Sequence, residues 1–200
     1  MRSRILPRAF YARPTLLVAG DLIGKVLVHR TREGVASGVI VECEAYIGEE
    51  DPACHAAPGP TPRNEPLYGP PGIAYVYFNY GVHYLVNAVT EPKGSPAAVL
   101  IRALDPLDGI ALMARRRGTV RSPHHLCRGP GNLTRALGIT LNHNRLDLTG
   151  STLTIEDRQF SGSVSCTILF KTFERTQTCL CTHAANSPPA PPIAVRSFAF

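Results

Sequence analysis

Two glutamates, an arginine and a cluster of tyrosines are the residues of this 200-residue chain best suited to chemistry. Glu42 and Glu44 stand two apart in GVIVECEAYIG, and Tyr46 follows at the same interval. Residues two apart on a strand share a face. Both carboxylates and the tyrosine would therefore project together, with Val39, Val41, Cys43 and Ala45 on the opposite, apolar face. Carboxylates placed so close repel, and such pairs mark a bound cation, a held water or a split of pKa values. Arg102 sits in AVLIRALD with apolar residues on both sides, where a guanidinium needs a partner. The plain alternative is a polar outer sheet face with a structural Arg–Glu pair; the chemical one is a guanidinium that positions a carboxylate-bound water. Tyr75, Tyr77, Tyr80 and Tyr84 fall within ten residues, and His55 lies in the segment before them. Aromatics on strands are ordinarily core, but flat walls with polar tips are also what a purine swung out of a duplex requires.

The elements that must position these groups follow from pattern. Pro14-Thr15 opens a short helix stopped near Gly24, KVLVHR reads as a strand, and a turn at Arg32–Gly34 leads into the Glu44 strand. The proline-rich segment between Ile47 and Ile73 has few periodic apolar positions and reads as a long irregular loop, which in a compact domain is usually functional. IAYVYFNYGVHYLVNAVT reads as two strands joined at Asn79-Tyr80-Gly81, with Gly81 free to take positive φ. Tyr80 would stand at the tip, where a side chain can wedge between base pairs. After the Arg102 strand, Asp105 is expected to cap a helix with Pro106 at its first position, running to about Arg117. RGPGNLTRALGI is a glycine-rich turn feeding a helix closed by Gly138, a geometry that can hold a phosphate.

Composition narrows the partners. The net charge of +6 suits a polyanion, because cationic side chains gain by displacing counterions from a phosphate backbone. No acidic residue falls between Asp108 and Asp147, while Arg115, Arg116, Arg117, Arg121, Arg128, Arg135 and Arg145 all do, which makes that stretch a candidate phosphate-facing surface. No apolar run approaches the ~20 residues of a membrane helix. The basic start runs into Pro7 and Arg8 rather than an apolar stretch, so it fails as a secretory signal; a bacterial cytosolic or nucleoid setting and six reduced thiols are expected. His124, His125 and Cys127, and the run Cys179, Cys181 and His183, lack the paired spacing of a structural zinc site, and neither metal nor cofactor is expected.

Four ordered blocks, VECEAYIGEEDPACHAAPGPTPRN, PGIAYVYFNYGVHYLVN, AVLIRALDPLDG and CRGPGNLTRALGI, closely resemble the alkyladenine (3-methyladenine) DNA glycosylase family over residues 5 to about 150. The resemblance implies a single mixed α+β domain with a curved antiparallel sheet, flanking helices and a protruding β-hairpin that enters the minor groove. It implies a monofunctional enzyme acting on double-stranded DNA that carries alkylated or deaminated purines, and a monomer is the default expectation. Carried over by position, Glu44 matches the general base that activates water for attack on C1′, and Arg102 the arginine that helps hold that water. Tyr46, His55 and Tyr77 match the side chains that sandwich the flipped base, and Tyr80 matches the intercalating residue. Asn87 matches an asparagine that clashes with the guanine 2-amino group. Arg128, Gly131 and Asn132 fall where the family approaches phosphates, although Asn132 replaces a lysine common in relatives. Lys25 and Lys93 lie outside the site blocks, so no Schiff-base lyase step is suggested.

The resemblance weakens late in the chain. The Arg-Ile-Gly-Ile segment with which the family normally closes is missing, and AVRSFAF only faintly echoes its terminal strand. Residues 1–160 are accordingly read as the glycosylase domain and 161–200 as a divergent C-terminal segment, expected to pack poorly, that reflects either true divergence or a shifted reading frame. A rival reading follows: a damaged-DNA-binding protein whose catalysis is impaired because that last pocket wall is lost. A binder of RNA or single strands that uses the tyrosines as stacking platforms ranks behind both.

Overall fold

The computed structural model describes residues 4–118 and 120–158, and the backbone of 163–171 and 176–184. Seven strands form one antiparallel sheet in the order β1 (Arg4–Ile5), β7 (Leu153–Asp157), β2 (Val26–Thr31), β3 (Gly34–Ile47), β6 (Ala97–Asp108), β5 (His83–Val89) and β4 (Ala74–Asn79). Helices α1 (Arg8–Tyr11), α2 (Thr15–Leu22), α3 (Ile110–Arg117) and α4 (Pro130–Leu137) complete the α+β domain. Leu22, Met113, Leu133 and Leu137 from the helices meet Ile40, Cys43, Ala45, Val86, Val99 and Ile101 from the strands in the main core. Tyr75, Val89 and Ala98 alternate with those core positions along their strands and pack instead with Cys54, Ala56, Leu67 and Ile73 in a second cluster. Helices thus cover one face of the central strands and the proline-rich loop covers the other. Among the described residues no helix is long and apolar enough to cross a membrane, and no group of three His, Cys, Asp or Glu side chains converges as a metal site.

Three sequence expectations are corrected. Val39, Val41, Cys43 and Ala45 do not share a face: Val39 and Val41 pack with Val26 and Val28, whereas Cys43 and Ala45 join Ile40 in the main core. The cause is an irregularity in the β3–β6 ladder. Ile40 pairs with Leu104 and Cys43 with Ile101, but between them Glu42 pairs with Ala103 and the register steps out and back. Alternation slips by one there in both strands, as a bulge makes it do. The second correction concerns the helix expected from Asp105. Strand β6 continues through Pro106 to Asp108, and α3 begins behind Gly109, whose φ is 75°. Side-chain bonds hold the extension: Ser37 Oγ donates to Asp108 Oδ2 at 2.6 Å and Arg158 Nη1 does so at 2.8 Å. Pro106 lies opposite Gly38, where an added Cβ would sit 2.9 Å from the Asp105 carbonyl oxygen.

The third correction concerns the arginine run. Arg115 and Arg116 pair with Glu33 at 2.9 and 2.6 Å, and Arg145 pairs with Glu65. Arg117 and Arg135 donate to the carbonyls of Leu126 and Arg116. Most of the run is therefore engaged within the protein, with the β2–β3 turn, the segment before β4 and the α3–α4 region, instead of forming one open cationic face.

Strand β8 (Ser163–Lys171) pairs in parallel with β3, Glu42 opposite Thr167 through Ala45 opposite Phe170. β6 occupies one side of β3 and β2 pairs only with Gly34–Val39, so β8 takes the side that β2 leaves open. β9 (Thr176–Ala184) pairs antiparallel with β8. The expectation of poor order over 161–200 falls in part on residues outside those described. The side chains of Cys166, Cys179 and Cys181 also lie outside them, while those of Cys43, Cys54 and Cys127 are buried.

Candidate active site

Four neighbouring strands bring the site together on one level. Tyr75 of β4 is opposite Asn87 of β5, Asn87 is opposite Leu100 of β6, and Leu100 is opposite Glu44 of β3. Tyr46 and Tyr77 flank that row on the same face, two residues on from Glu44 and Tyr75. Glu42, two residues from Glu44, and Arg102, two from Leu100, lie on this face as well. Arg102 Nη1 donates to Glu44 Oε2 at 2.7 Å and its Nε to Glu42 Oε1 at 2.9 Å. Glu44 is only 3% exposed. Burial works against the Arg102 charge, but Glu42 and Glu44 outweigh it, and the guanidinium pKa rises above its ordinary value.

A recess of about 320 Å³, counting its open mouth, lies beside this triad and is lined by Tyr46, His55, Tyr75, Tyr77 and Asn87 together with Ala53, Cys54, Leu67 and Ala98. The His55 ring stands 4.5 Å from the Tyr77 ring, and its Nδ1 is 2.9 Å from the Tyr75 hydroxyl. Burial, and then the charge of Arg63, hold the His55 pKa below its ordinary value, so the ring is neutral at neutral pH. Burial likewise pushes Tyr75 and Tyr77 up to about 12. Tyr46 also moves upward, through burial and then through the negative charge of the neighbouring Glu44. Protonated phenols and a neutral imidazole make walls that are flat, largely apolar and able to donate a hydrogen bond. Asn87 is 3% exposed, and its Nδ2 donates to the Tyr75 carbonyl at 3.1 Å, which fixes its amide against the pocket floor.

Outside the pocket stands the hairpin. Tyr80 and Gly81 take φ of 49° and 67°, and Val82 N–H closes the turn on the Asn79 carbonyl at 3.1 Å, the primed geometry that suits strand twist. Tyr80 is 92% exposed at the tip and Val82 is exposed beside it. The base of the hairpin rests on α4: Thr134 Oγ1 donates to the Tyr84 carbonyl at 2.6 Å, and the His83 ring lies so close over Gly131 that a Cβ there would meet it at 2.5 Å. Arg128, Gly131 and Asn132 share the turn that opens α4, with Asn132 Nδ2 donating to the Arg128 carbonyl at 2.7 Å. Tyr46, His55, Tyr77 and Asn87 thus line one recess, the Glu44–Arg102 pair lies on the same sheet face next to Tyr46 without lining it, and Tyr80 and the α4 turn stand outside.

Sequence reasoning passed over Arg63 and Asn64. Asn64 is buried; its Nδ2 donates to the carbonyls of His55 at 2.7 Å and Gly59 at 2.8 Å, and its Oδ1 accepts from Thr61 N–H at 2.6 Å. One amide therefore pins the loop that carries His55. The signal was there in PTPRN, since an asparagine among prolines and a threonine is a local side-chain-to-backbone capping pattern.

Comparison with known proteins agrees with this arrangement. Residues 9–168 match the family described as Methylpurine-DNA glycosylase (MPG). A protein of Chlorobium phaeobacteroides is 53% identical over 151 residues, covering 75% of each chain. One of Rhodopseudomonas palustris is 51% identical over 154 residues, covering 77% of this chain and 72% of its own. One of Bradyrhizobium diazoefficiens is 56% identical over 143 residues, covering 72% and 68%. All three bear the provisional name 3-methyladenine DNA glycosylase. The chain therefore belongs to the methylpurine-DNA glycosylase family, a family of DNA-repair enzymes.

Proposed function

We propose that this protein excises alkylated or deaminated purines from duplex DNA by hydrolysis of the N-glycosidic bond, with Glu44 as general base and no lyase step. The observation that carries the reading is the buried Glu44 carboxylate, held by Arg102 and next to Tyr46, one wall of an aromatic recess. Tyr80 wedges into the duplex and fills the space of the extruded nucleotide. Tyr46, His55 and Tyr77 enclose the base, and Asn87 disfavours guanine through its 2-amino group. As the C1′–N bond breaks, its electron pair leaves with the base and the sugar becomes oxocarbenium-like. Water then forms the new C1′–O bond and passes a proton to Glu44, whose charge has also steadied the cationic sugar. An alkylated purine that is already cationic leaves as a neutral base, which makes it both the better leaving group and the cheaper one to extrude. Arg102, anchored by Glu42, holds the Glu44 carboxylate oriented toward that water. Arg128, Gly131 and Asn132 approach the phosphates through the turn opening α4.

The test is excision of hypoxanthine or ethenoadenine from a duplex, read as strand scission after hot alkali. Scission by the wild type that is lost in Glu44→Gln is the expected result. Damage-selective binding with no scission by the wild type would overturn catalysis and leave a damaged-DNA-binding protein.

A further inference from the structure

Arg63 is the feature that this reading of the pocket leaves without a task. Its side chain is exposed at the pocket mouth, with Cζ 5.7 Å from the centre of the Tyr77 ring. Nη2 donates to the Phe78 carbonyl at 3.3 Å, near the long limit of a hydrogen bond, and the guanidinium charge is felt by the Tyr75 hydroxyl. Among the described residues it forms no ion pair with a carboxylate, whereas Arg102, Arg145 and Arg158 all do. The cation therefore stands between the base recess and the strand that leads to Tyr80, and neutral groups alone hold it there. Its backbone is far more firmly placed than its head. Asn64, the next residue, is 2% exposed and uses both ends of its amide to bind the turn that runs from His55 to Thr61.

We propose that Arg63 binds a backbone phosphate of the nucleotide whose base enters the recess; this rests on the base-flipping reading above. An extruded base brings its own sugar and phosphates to the pocket mouth, and a planar guanidinium fork matches phosphate oxygens. Exchanging one long bond to a carbonyl for a charge-assisted contact favours the phosphate. The contact forms only when a nucleotide is extruded, so Arg63 adds to lesion recognition and not to general adhesion.

The experiment compares the wild type, Arg63→Gln and Arg63→Lys for equilibrium binding to two duplexes across a salt series. One carries a tetrahydrofuran abasic analogue, which has no base to excise, and the other is undamaged; excision of hypoxanthine is followed in parallel. For Arg63→Gln, affinity for the abasic-analogue duplex should fall about tenfold, and the slope of log affinity against log salt should become shallower by about 0.9. Binding to undamaged duplex should not change, and Arg63→Lys should restore the slope. Equal weakening on both duplexes would make Arg63 a general surface cation, and no change on either would make it a strut for Tyr77; each outcome overturns the assignment while wild-type excision persists. A wild type that neither excises hypoxanthine nor prefers the abasic analogue would overturn the pocket reading, and the Arg63 assignment with it.

Discussion

At the scale of single residues, the site turns on how two carboxylates divide one guanidinium. Glu42 is about a third exposed in its side chain and Glu44 almost wholly buried, yet both bond Arg102. The buried member is the one whose charge acts on Tyr46, a residue that lines the recess. Glu42 faces solvent enough to act mainly by orienting Arg102. Glu42→Gln should therefore slow single-turnover excision by only about tenfold, with lesion affinity little changed, whereas loss of a general base costs on the order of 10²- to 10⁴-fold. Equal losses in Glu42→Gln and Glu44→Gln would show that the assignment of base to Glu44 is wrong. The i, i+2 spacing and the apolar surroundings of Arg102 made this triad legible in the sequence. Asn64 and Arg63 were not legible in the same way, because their importance arises from which carbonyls and rings a non-periodic loop folds against, and no strand or helix period encodes that.

Among the elements, β3 shows where sequence pattern stops. Its strand character, its end near Ile47 and the common face of Glu42, Glu44 and Tyr46 could all be read from period two. The slip between Ile40 and Cys43 could not, since it depends on the neighbouring β6 slipping at the same level. The helix expected at Asp105 failed for a related reason: a local cap signal lost to long-range bonds from Ser37 and Arg158. A similar long-range packing places His29 of β2 in the core, 3% exposed, with Nδ1 2.8 Å from the Leu137 carbonyl and its ring 4.5 Å from that of His143. Burial first, then His143 and Arg116, lower its pKa below the ordinary 6.5. The unfolded chain therefore takes up this proton before the native one does. Stability from neutral His29 is intact above pH 6.5 and is lost as pH falls through that value toward the depressed native pKa. Melting temperature should drop as the solution is acidified through this range, and His29→Asn, which keeps a donor for Leu137, should flatten the dependence. An unaltered acid slope in that variant would place the titration elsewhere.

For the whole molecule, charge and coverage decide what the protein presents to DNA. Arg115, Arg116, Arg117, Arg135 and Arg145 already have partners within the protein, so on the function proposed above it is the pocket mouth, the Tyr80 hairpin and the turn opening α4, more than the net charge of +6, that would face DNA. Completion of the sheet matters as much. The half of β3 that carries Glu44 lies between β6 and β8, with β8 paired to it from Glu42 to Ala45. This pairing argues that the divergent end of the chain still supports the catalytic strand, although its sequence lacks the family's usual closing motif. A chain ending after residue 160 would leave the peptide groups on that side of β3 without their strand partner, open to water and to edge pairing. Native-state hydrogen exchange at Glu42–Ala45 should then accelerate relative to the full chain, the melting temperature should fall, and single-turnover excision should drop with it. The hairpin and the α4 turn lie on other elements, so binding to undamaged duplex should survive the truncation. Exchange and excision unchanged by the deletion would mean that β3 holds Glu44 in place without β8, and that the end of the chain has no part in the site.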